Sequence, residues 1–354
     1  MPENVGQRTR HVPLVLVDTE NLSREEWLAC RRQGIGGSDV AGIMGISPFR
    51  TARDVYYDKL NIAPVEEEPE NWVALEVGNL LENLVARIFH KKSGLEIFQV
   101  KKMFRHPLYP FMLADVDYFV RLPDGETAIL EIKTTNYNAT DAWWQEGGEI
   151  VPPYYEAQGR HYMAVMDADR VFFCCLYGNT EDECIIREIR RDMAYEQEMI
   201  YLEQYFWESH VLAKDPPPYT EDGARIMGSV QRYCGPADTG APVLELGADM
   251  AETLMYYLRL QEEKKKAEKR SGELEKELQR AKAILIAEMG TRCAAECRRD
   301  GFRYTVTYNP VRKAGVDKNN LSRLKIQYPE IYERFVTVSE YRRFLVKVSA
   351  EEAA

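Results

Sequence analysis

"TAILEIKTTN", from Thr127 to Asn136, carries Glu131 and Lys133 two positions apart within an apolar run. Alternation along a β-strand puts Ala128, Leu130 and Ile132 on one side and Glu131 with Lys133 on the other. A charge pair on the solvent side of a half-exposed strand satisfies that pattern. A reactive site satisfies it too, provided other acidic residues converge on the same face. Upstream, "FMLADVDYFV" places Asp115 and Asp117 on one face and Ala114, Val116 and Tyr118 on the other, and "LPDGE" supplies a turn between the two segments. Paired as a hairpin, they bring Asp117 beside Glu131 and Lys133.

Two carboxylates held close repel and raise a pKa unless a cation neutralises them. Hard divalent cations such as Mg²⁺, bound through oxygen, are the usual solution. A neighbouring lysine is then placed to orient or deprotonate a water, which makes the set a phosphodiester-cleaving constellation. The helix "WVALEVGNLLENLVARIFHKKSG" adds Glu82, which sits beside an apolar stripe of Val85 and Phe89, with Gly78 one turn earlier. Gln158, in the helical stretch "VPPYYEAQGRHYMAVM", is a candidate partner for the attacking water, for Lys133 or for a substrate phosphate. Taken singly, Glu82 reads equally as a helix-edge glutamate and Gln158 as a surface glutamine.

The rest of the chain sets bounds. Its 354 residues suffice for a large core with an appendage. A net charge of −11 argues against a nonspecific basic coat, though not against a local basic groove. No apolar run reaches the roughly 20 residues of a membrane span, and the N-terminus lacks a signal-peptide pattern. Seven cysteines without regular spacing fit reduced thiols in a cytoplasmic protein, and Cys174, Cys175 and Cys184 read as structural thiols, without zinc or iron–sulfur spacing. "NLSREEWLACRRQGIGGSDVAGIMG" reads as a helix with a Ser23–Glu26 capping box, a glycine-rich turn, and a second helix capped by Ser38 or Asp39. Strands near 96–105, 111–121, 170–177 and 184–190, with a helix over 192–213, indicate an α/β or α+β core. A Pro- and Gly-rich linker over 215–247 follows, then a long charged helix from 248 to 289 that Ser271-Gly272 breaks or leaves whole. A small strand–helix–strand appendage ends the chain.

The order Glu82, Asp117, Glu131-x-Lys133, Gln158 resembles the PD-(D/E)xK nuclease superfamily, and in detail the YqaJ-type viral recombinase nucleases, relatives of the phage lambda exonuclease. "WLACRRQGIGGSDVAGIMG", from Trp27 to Gly45, resembles the family's N-terminal motif, in which an arginine and a serine seven residues later bind DNA phosphate; Arg31 and Ser38 stand there. "VGNLLE" resembles its Gly-x-x-x-Glu and "YYEAQGRHYMAV" its Gln-containing helix, and the resemblance covers roughly residues 23–210. Val116 replaces the usual Pro, Asp115 competes with Asp117 as ligand, and Arg160, where a second Gln is common, is counted with Arg31 and Ser38 as a phosphate contact.

The resemblance implies a restriction-endonuclease-like α/β core over 1–214, a mixed central sheet flanked by helices, with a helical and small α+β extension over 248–349. It also implies a deoxyribonuclease that resects linear double-stranded DNA from the 5′ end, in phage or prophage recombination with a single-strand annealing partner. Asp117, Glu131, the Ile132 carbonyl and Glu82 would hold Mg²⁺, for which Mn²⁺ substitutes, while Lys133 activates water and Gln158 supports them. Related exonucleases assemble as rings. Lys101, Lys102, Arg105 and His106 form either a groove wall or a solvated strand edge. The rival readings are an endonuclease built on the same site and a noncatalytic DNA-binding scaffold.

Overall fold

The computed structural model describes residues 10–62, 72–145, 148–234, 238, 240–299, 302–309 and 318–335. The chain divides into two compact units, residues 1–241 and 242–354. In the first, β1 (Leu14–Asp18) leads into α1 (Arg24–Arg31), whose Ser23 and Glu26 close the expected capping box. The short β2 (Ile35–Gly36) runs directly into α2 (Gly37–Ile43). The cap of α2 is Gly36 rather than Ser38 or Asp39; Asp39 sits one turn in, where its carboxylate accepts the Gly36 N–H. Next come α3 (Ala52–Lys59) and, beyond the undescribed acidic stretch 63–71, the long α4 (Trp72–Ser93).

The strands expected at 96–105 and 111–121 each break in two. They become β3 (Glu96–Phe98) and β4 (Lys102–Arg105), then β5 (Met112–Asp115) and β6 (Tyr118–Arg121). The breaks let the chain serve two sheets. One has the order β1-β4-β5-β2; the other contains β6 and β3. The crossing falls at Val116–Asp117, so Asp115 and Asp117 do not share one strand face. The Asp117 carboxylate instead accepts the Ile132 N–H at 2.8 Å, just past the last β6–β7 ladder pair, Tyr118 opposite Leu130.

Strand β7 (Thr127–Thr134) lies at the centre of the second sheet. After it come a 3₁₀ turn over Tyr137–Trp143 and the small ribbon β8 (Trp144–Gln145) and β9 (Gly148–Glu149), then α5 (Pro153–Met166), β10 (Arg170–Leu176), β11 (Cys184–Arg190) and α6 (Met193–Phe206). The sheet order is β11-β10-β7-β6-β3, with β10 parallel to β7 and the other pairs antiparallel. Mixed sheets flanked by helices are therefore observed, as the sequence predicts. The one-sided burial of β7 is corrected, because a central strand is covered on both faces. Ile129 packs with Ala157, Met163 and Phe173 in one core, while Leu130 and Ile132 pack with Val85, Ala86 and Phe89 of α4 in another. Glu131 is 2% exposed.

The stretch read as linker holds α7 (Gly223–Cys234), which docks on α3. Arg232 pairs with Asp54 at 2.7 Å, Ser229 is fully buried, and Tyr233 stacks on Tyr57. In the second unit α8 (Ala248–Met289) is one unbroken helix, so Ser271-Gly272 makes no hairpin there. Isolated glycines lower helix stability without forcing a break. The hairpin β12 (Ala294–Arg299) and β13 (Phe302–Thr307) follows, with α9 (Lys318–Gln327) and α10 (Pro329–Phe335), so the expected strand gains a hairpin partner and the expected helix is two; the final expected strand lies in residues 336–354, outside the described residues.

Gly34 fixes how the glycine turn meets β5. A Cβ there would lie 2.4 Å from the Phe111 carbonyl oxygen and 2.8 Å from Leu113 Cγ. Backbone cannot yield as a flexible side chain can, so Gly34→Ala is expected to lower unfolding free energy by about 1–3 kcal/mol, read from urea denaturation. A change within error would place the turn differently.

Candidate functional site: a cleft with an acidic and a cationic end

A cleft of about 510 Å³ opens between the two sheets, α1, α2, α4 and α5. Its lining includes Glu82, Asp115, Asp117, Glu131 and Gln158 together with Arg31 and Ser38. Residues far apart in sequence thus face one space.

At the acidic end, Lys133 Nζ donates to Glu131 Oε1 at 2.7 Å and to Gln158 Oε1 at 3.1 Å. The Gln158 amide N–H donates to the same Glu131 oxygen. The three side chains close a ring of hydrogen bonds that fixes the glutamate's rotamer. The other carboxylate oxygen, Glu131 Oε2, is buried with no hydrogen-bond partner among the described residues. Gln99 donates to Glu82 Oε1 at 3.1 Å and to the Asp117 carbonyl at 3.3 Å, tying α4 to the sheet crossing. Asp115, the competing acid, accepts the Trp27 indole N–H at 2.7 Å. Ile132 reaches this cluster through its N–H. Among the described residues no three His, Cys, Asp or Glu side chains are already gathered tightly enough to hold a metal ion.

Burial pushes the Glu131 carboxyl up to about 8, with the Asp117 charge adding to the effect against Lys133. Burial likewise raises Asp117 and Glu82. For Lys133 burial acts downward, but the Glu131 and Asp117 charges outweigh it and raise the ammonium's pKa. Carboxylates held this way gain from any cation that enters.

At the cationic end, Arg31 Nη2 donates to Ser38 Oγ at 2.7 Å, and its guanidinium lies over the Trp27 ring. The two ends meet where α2 touches α5. A Cβ on Gly37 would lie 2.6 Å from Tyr162 Cε1 and 2.9 Å from Gln158 Cγ, so only glycine permits this approach.

Not every candidate arrives. Arg160 is absent from the cleft lining: two residues past Gln158 is about 200° around a helix, and its guanidinium pairs with Glu156 at 2.7 Å and lies over the Tyr195 ring. Of the suggested groove wall only Lys101 lines the cleft. His106 is buried, with its Nδ1 accepting the Leu108 and Tyr109 N–H groups, and Arg105 donates to Gln33. Cys174 and Cys175 are buried in β10, as expected of structural thiols. Sequence reasoning missed Tyr162, Gln99 and Trp27. Each acts through one polar atom on an otherwise apolar or neutral residue, which leaves no pattern in the sequence.

Fold and cleft define a mixed α/β protein with a buried acidic cluster facing an arginine, and comparison with known proteins gives its family. The model for the YqaJ-like viral recombinase domain matches residues 26–169, and the uncharacterized protein YqaJ of Bacillus subtilis (strain 168) is 32% identical over 338 residues, covering 94% of this chain and 97% of its own. The chain belongs to the YqaJ-like viral recombinase domain family. Partial likenesses in solved structures include an alkaline exonuclease from Laribacter hongkongensis (22% identity, TM-score 0.45, 54% of this chain and 94% of that one). A phage related exonuclease from Haemophilus somnus 129PT is similar at 14% identity and TM-score 0.40, over 51% of this chain and 96% of that one. No helix among the described residues is long and apolar enough to cross a membrane.

The raised Glu131 pKa has a signed consequence for the metal-free protein. From its ordinary value of 4.5 up to about 8, the folded state holds a proton that the unfolded state releases. Stability therefore falls as pH rises through that window, by at most about 1.4 kcal/mol per pH unit. Urea denaturation in EDTA at pH 5, 6, 7 and 8 is expected to show a shallower decline for Glu131→Gln than for wild type. Parallel curves would remove the buried proton.

Proposed function

We infer that this chain is a metal-dependent deoxyribonuclease that shortens linear double-stranded DNA from its 5′ ends. The observation that carries this reading is one cleft in which Asp117, Glu131 and Gln158 share the lining with the Arg31–Ser38 pair, while Lys133, behind the lining, is hydrogen-bonded to Glu131 and Gln158. An acidic end suits a hard cation and a scissile phosphate, and a guanidinium beside a hydroxyl suits a second phosphate. Membership of a viral recombinase family agrees with a DNA substrate and with a single-strand annealing protein as partner. Ring assembly is a further element of the proposal.

The donor set fits a divalent cation, since Glu131 Oε2 is a buried oxygen with no donor among the described residues. Asp117, Glu131, the Ile132 carbonyl and Glu82 would hold Mg²⁺ or Mn²⁺, with Arg160 left out of the site. When bound, the ion acidifies a water and neutralises charge building on the phosphate. The chain's own residues do the rest. Lys133 gives two of its three N–H donors to Glu131 and Gln158 and lies over the Tyr155 ring, and from there it would position Glu131 and orient the attacking water. Its ammonium would orient the water and stabilise charge building on the phosphate. Gln158 holds both partners in register. Arg31 and Ser38 would grip the phosphate at the 5′ end and set the direction of digestion.

Linear and covalently closed duplexes, incubated with Mg²⁺ and with EDTA, test this directly. Loss of the linear form alone, only with metal, is expected. Cutting of both forms would make the enzyme an endonuclease, and cutting of neither a scaffold. Lys133→Ala is expected to bind DNA at wild-type affinity while losing turnover by about 10²-fold or more; near-wild-type cutting would return Lys133 to a structural role. Duplexes with 5′-phosphate should be digested faster than those with 5′-hydroxyl, and Arg31→Ala should erase that preference. Equal wild-type rates on the two ends would overturn the terminal pocket.

A further inference from the structure

An arginine beside an aspartate ordinarily closes into a two-pronged pair at about 2.7–2.9 Å. Arg31 and Asp39 do not. Their single contact, Nη2 to Oδ1, is 3.4 Å, while the same nitrogen holds Ser38 Oγ at 2.7 Å. The reason lies on the far side of the carboxylate. Asp39 Oδ2 is taken by Lys59 Nζ at 2.6 Å and by the Gly36 N–H at 2.9 Å, and Oδ1 accepts Arg50 Nη1 at 3.0 Å. Lys59 has a side chain with 0% exposure, and its ammonium also donates to the Arg31 carbonyl oxygen at 3.2 Å. It is not among the residues lining the cleft, so it has no route to DNA. Burial acts to raise the Asp39 carboxyl, but the charges of Lys59, Arg31 and Arg50 together hold it well below the usual carboxylate range.

We propose that Lys59 is a positioning residue for phosphate recognition: by occupying Asp39 Oδ2 it keeps that carboxylate from closing on Arg31, leaving the guanidinium on Ser38 and turned to the cleft, where it receives the terminal 5′ phosphate of DNA. The proposal rests on the assignment of Arg31 and Ser38 to a DNA phosphate made above. Lys59, Arg31 and Arg50 converge on Asp39, with Arg50 shared with Asp58 at 3.5 Å and Asp58 also meeting Arg32, so cations outnumber carboxylates beside the proposed phosphate. Without Lys59, Oδ2 keeps only the Gly36 N–H and Oδ1 only Arg50, so each oxygen has room for one more donor and the Arg31 guanidinium turns inward into a charge-assisted fork.

The test uses the full chain in EDTA, where DNA is bound without being cut, so that a failure of the nuclease reading is distinguishable from a failure of this one. Fluorescence anisotropy measures Kd for duplexes with 5′-phosphate and 5′-hydroxyl ends. Lys59→Met is expected to weaken binding of the phosphorylated end about tenfold, the scale of one charge-assisted hydrogen bond, and to change the hydroxyl end less than twofold. A merely structural role would move both alike. Adding Asp39→Asn to Lys59→Met removes the anion that captures Arg31, and is expected to restore the preference for phosphate. If Lys59→Met does not fold, Lys59→Gln carries the same comparison with about a threefold loss, because a neutral amide competes less well for the carboxylate. The proposal is overturned if wild type binds both ends equally, if the Lys59 variants keep the wild-type preference, or if the double variant binds no better than Lys59→Met.

Discussion

Glu131 is an acid on the central strand of a sheet covered on both sides, and much of the first unit answers to that placement. Burying an unpartnered carboxylate is costly, so such groups acquire partners, change protonation or hold a cation. Here all three tendencies meet. Lys133 and Gln158 bind one oxygen, burial lifts the pKa, and the second oxygen is buried with no donor among the described residues. The Lys133 ammonium in turn lies over the Tyr155 ring, so Tyr155 and Gln158, one turn apart near the start of α5, hold the strand's charged pair together.

The second constraint is close approach. Gly37 brings the start of α2 against Tyr162 and Gln158, and α5 in turn carries His161, whose buried ring contacts Glu203 of α6 and the Leu113 carbonyl of β5. The acidic and cationic ends are therefore braced on the same helix. Their separation is set by packed elements rather than by a loop.

What could be read from the sequence were features with a period or a spacing. The Glu131-x-Lys133 alternation, the Ser23–Glu26 box and the placement of Glu82 and Gln158 on amphipathic helices each follow from local geometry. The breaks at 99–101 and 116–117 were not legible, because an apolar run long enough for one strand looks the same when it crosses between two sheets. Asp115 and Asp117 show this well: equivalent by alternation, they part company only because the chain turns between them, one to Trp27 and the other to the Ile132 N–H. Arg160 shows the converse, as nearness to Gln158 in sequence placed it on a different helix face. The Asp39–Lys59 pair joins residues 20 apart on separate helices, and no local pattern announces it.

The docking of α7 changes where this module ends. Arg53 donates to the Pro217 carbonyl, Glu221 accepts the Ala52 N–H, Arg225 donates to the Ser47 carbonyl, and Arg232 meets Asp54. A chain ended at residue 214 would leave the Asp54 carboxylate without its arginine and one face of Tyr57 bare to water, a loss of both ion pairing and aromatic contact. The stretch after α6 is thus a strap rather than a tether. Recombination of this core with a different tail keeps the strap only if the joint falls beyond Cys234.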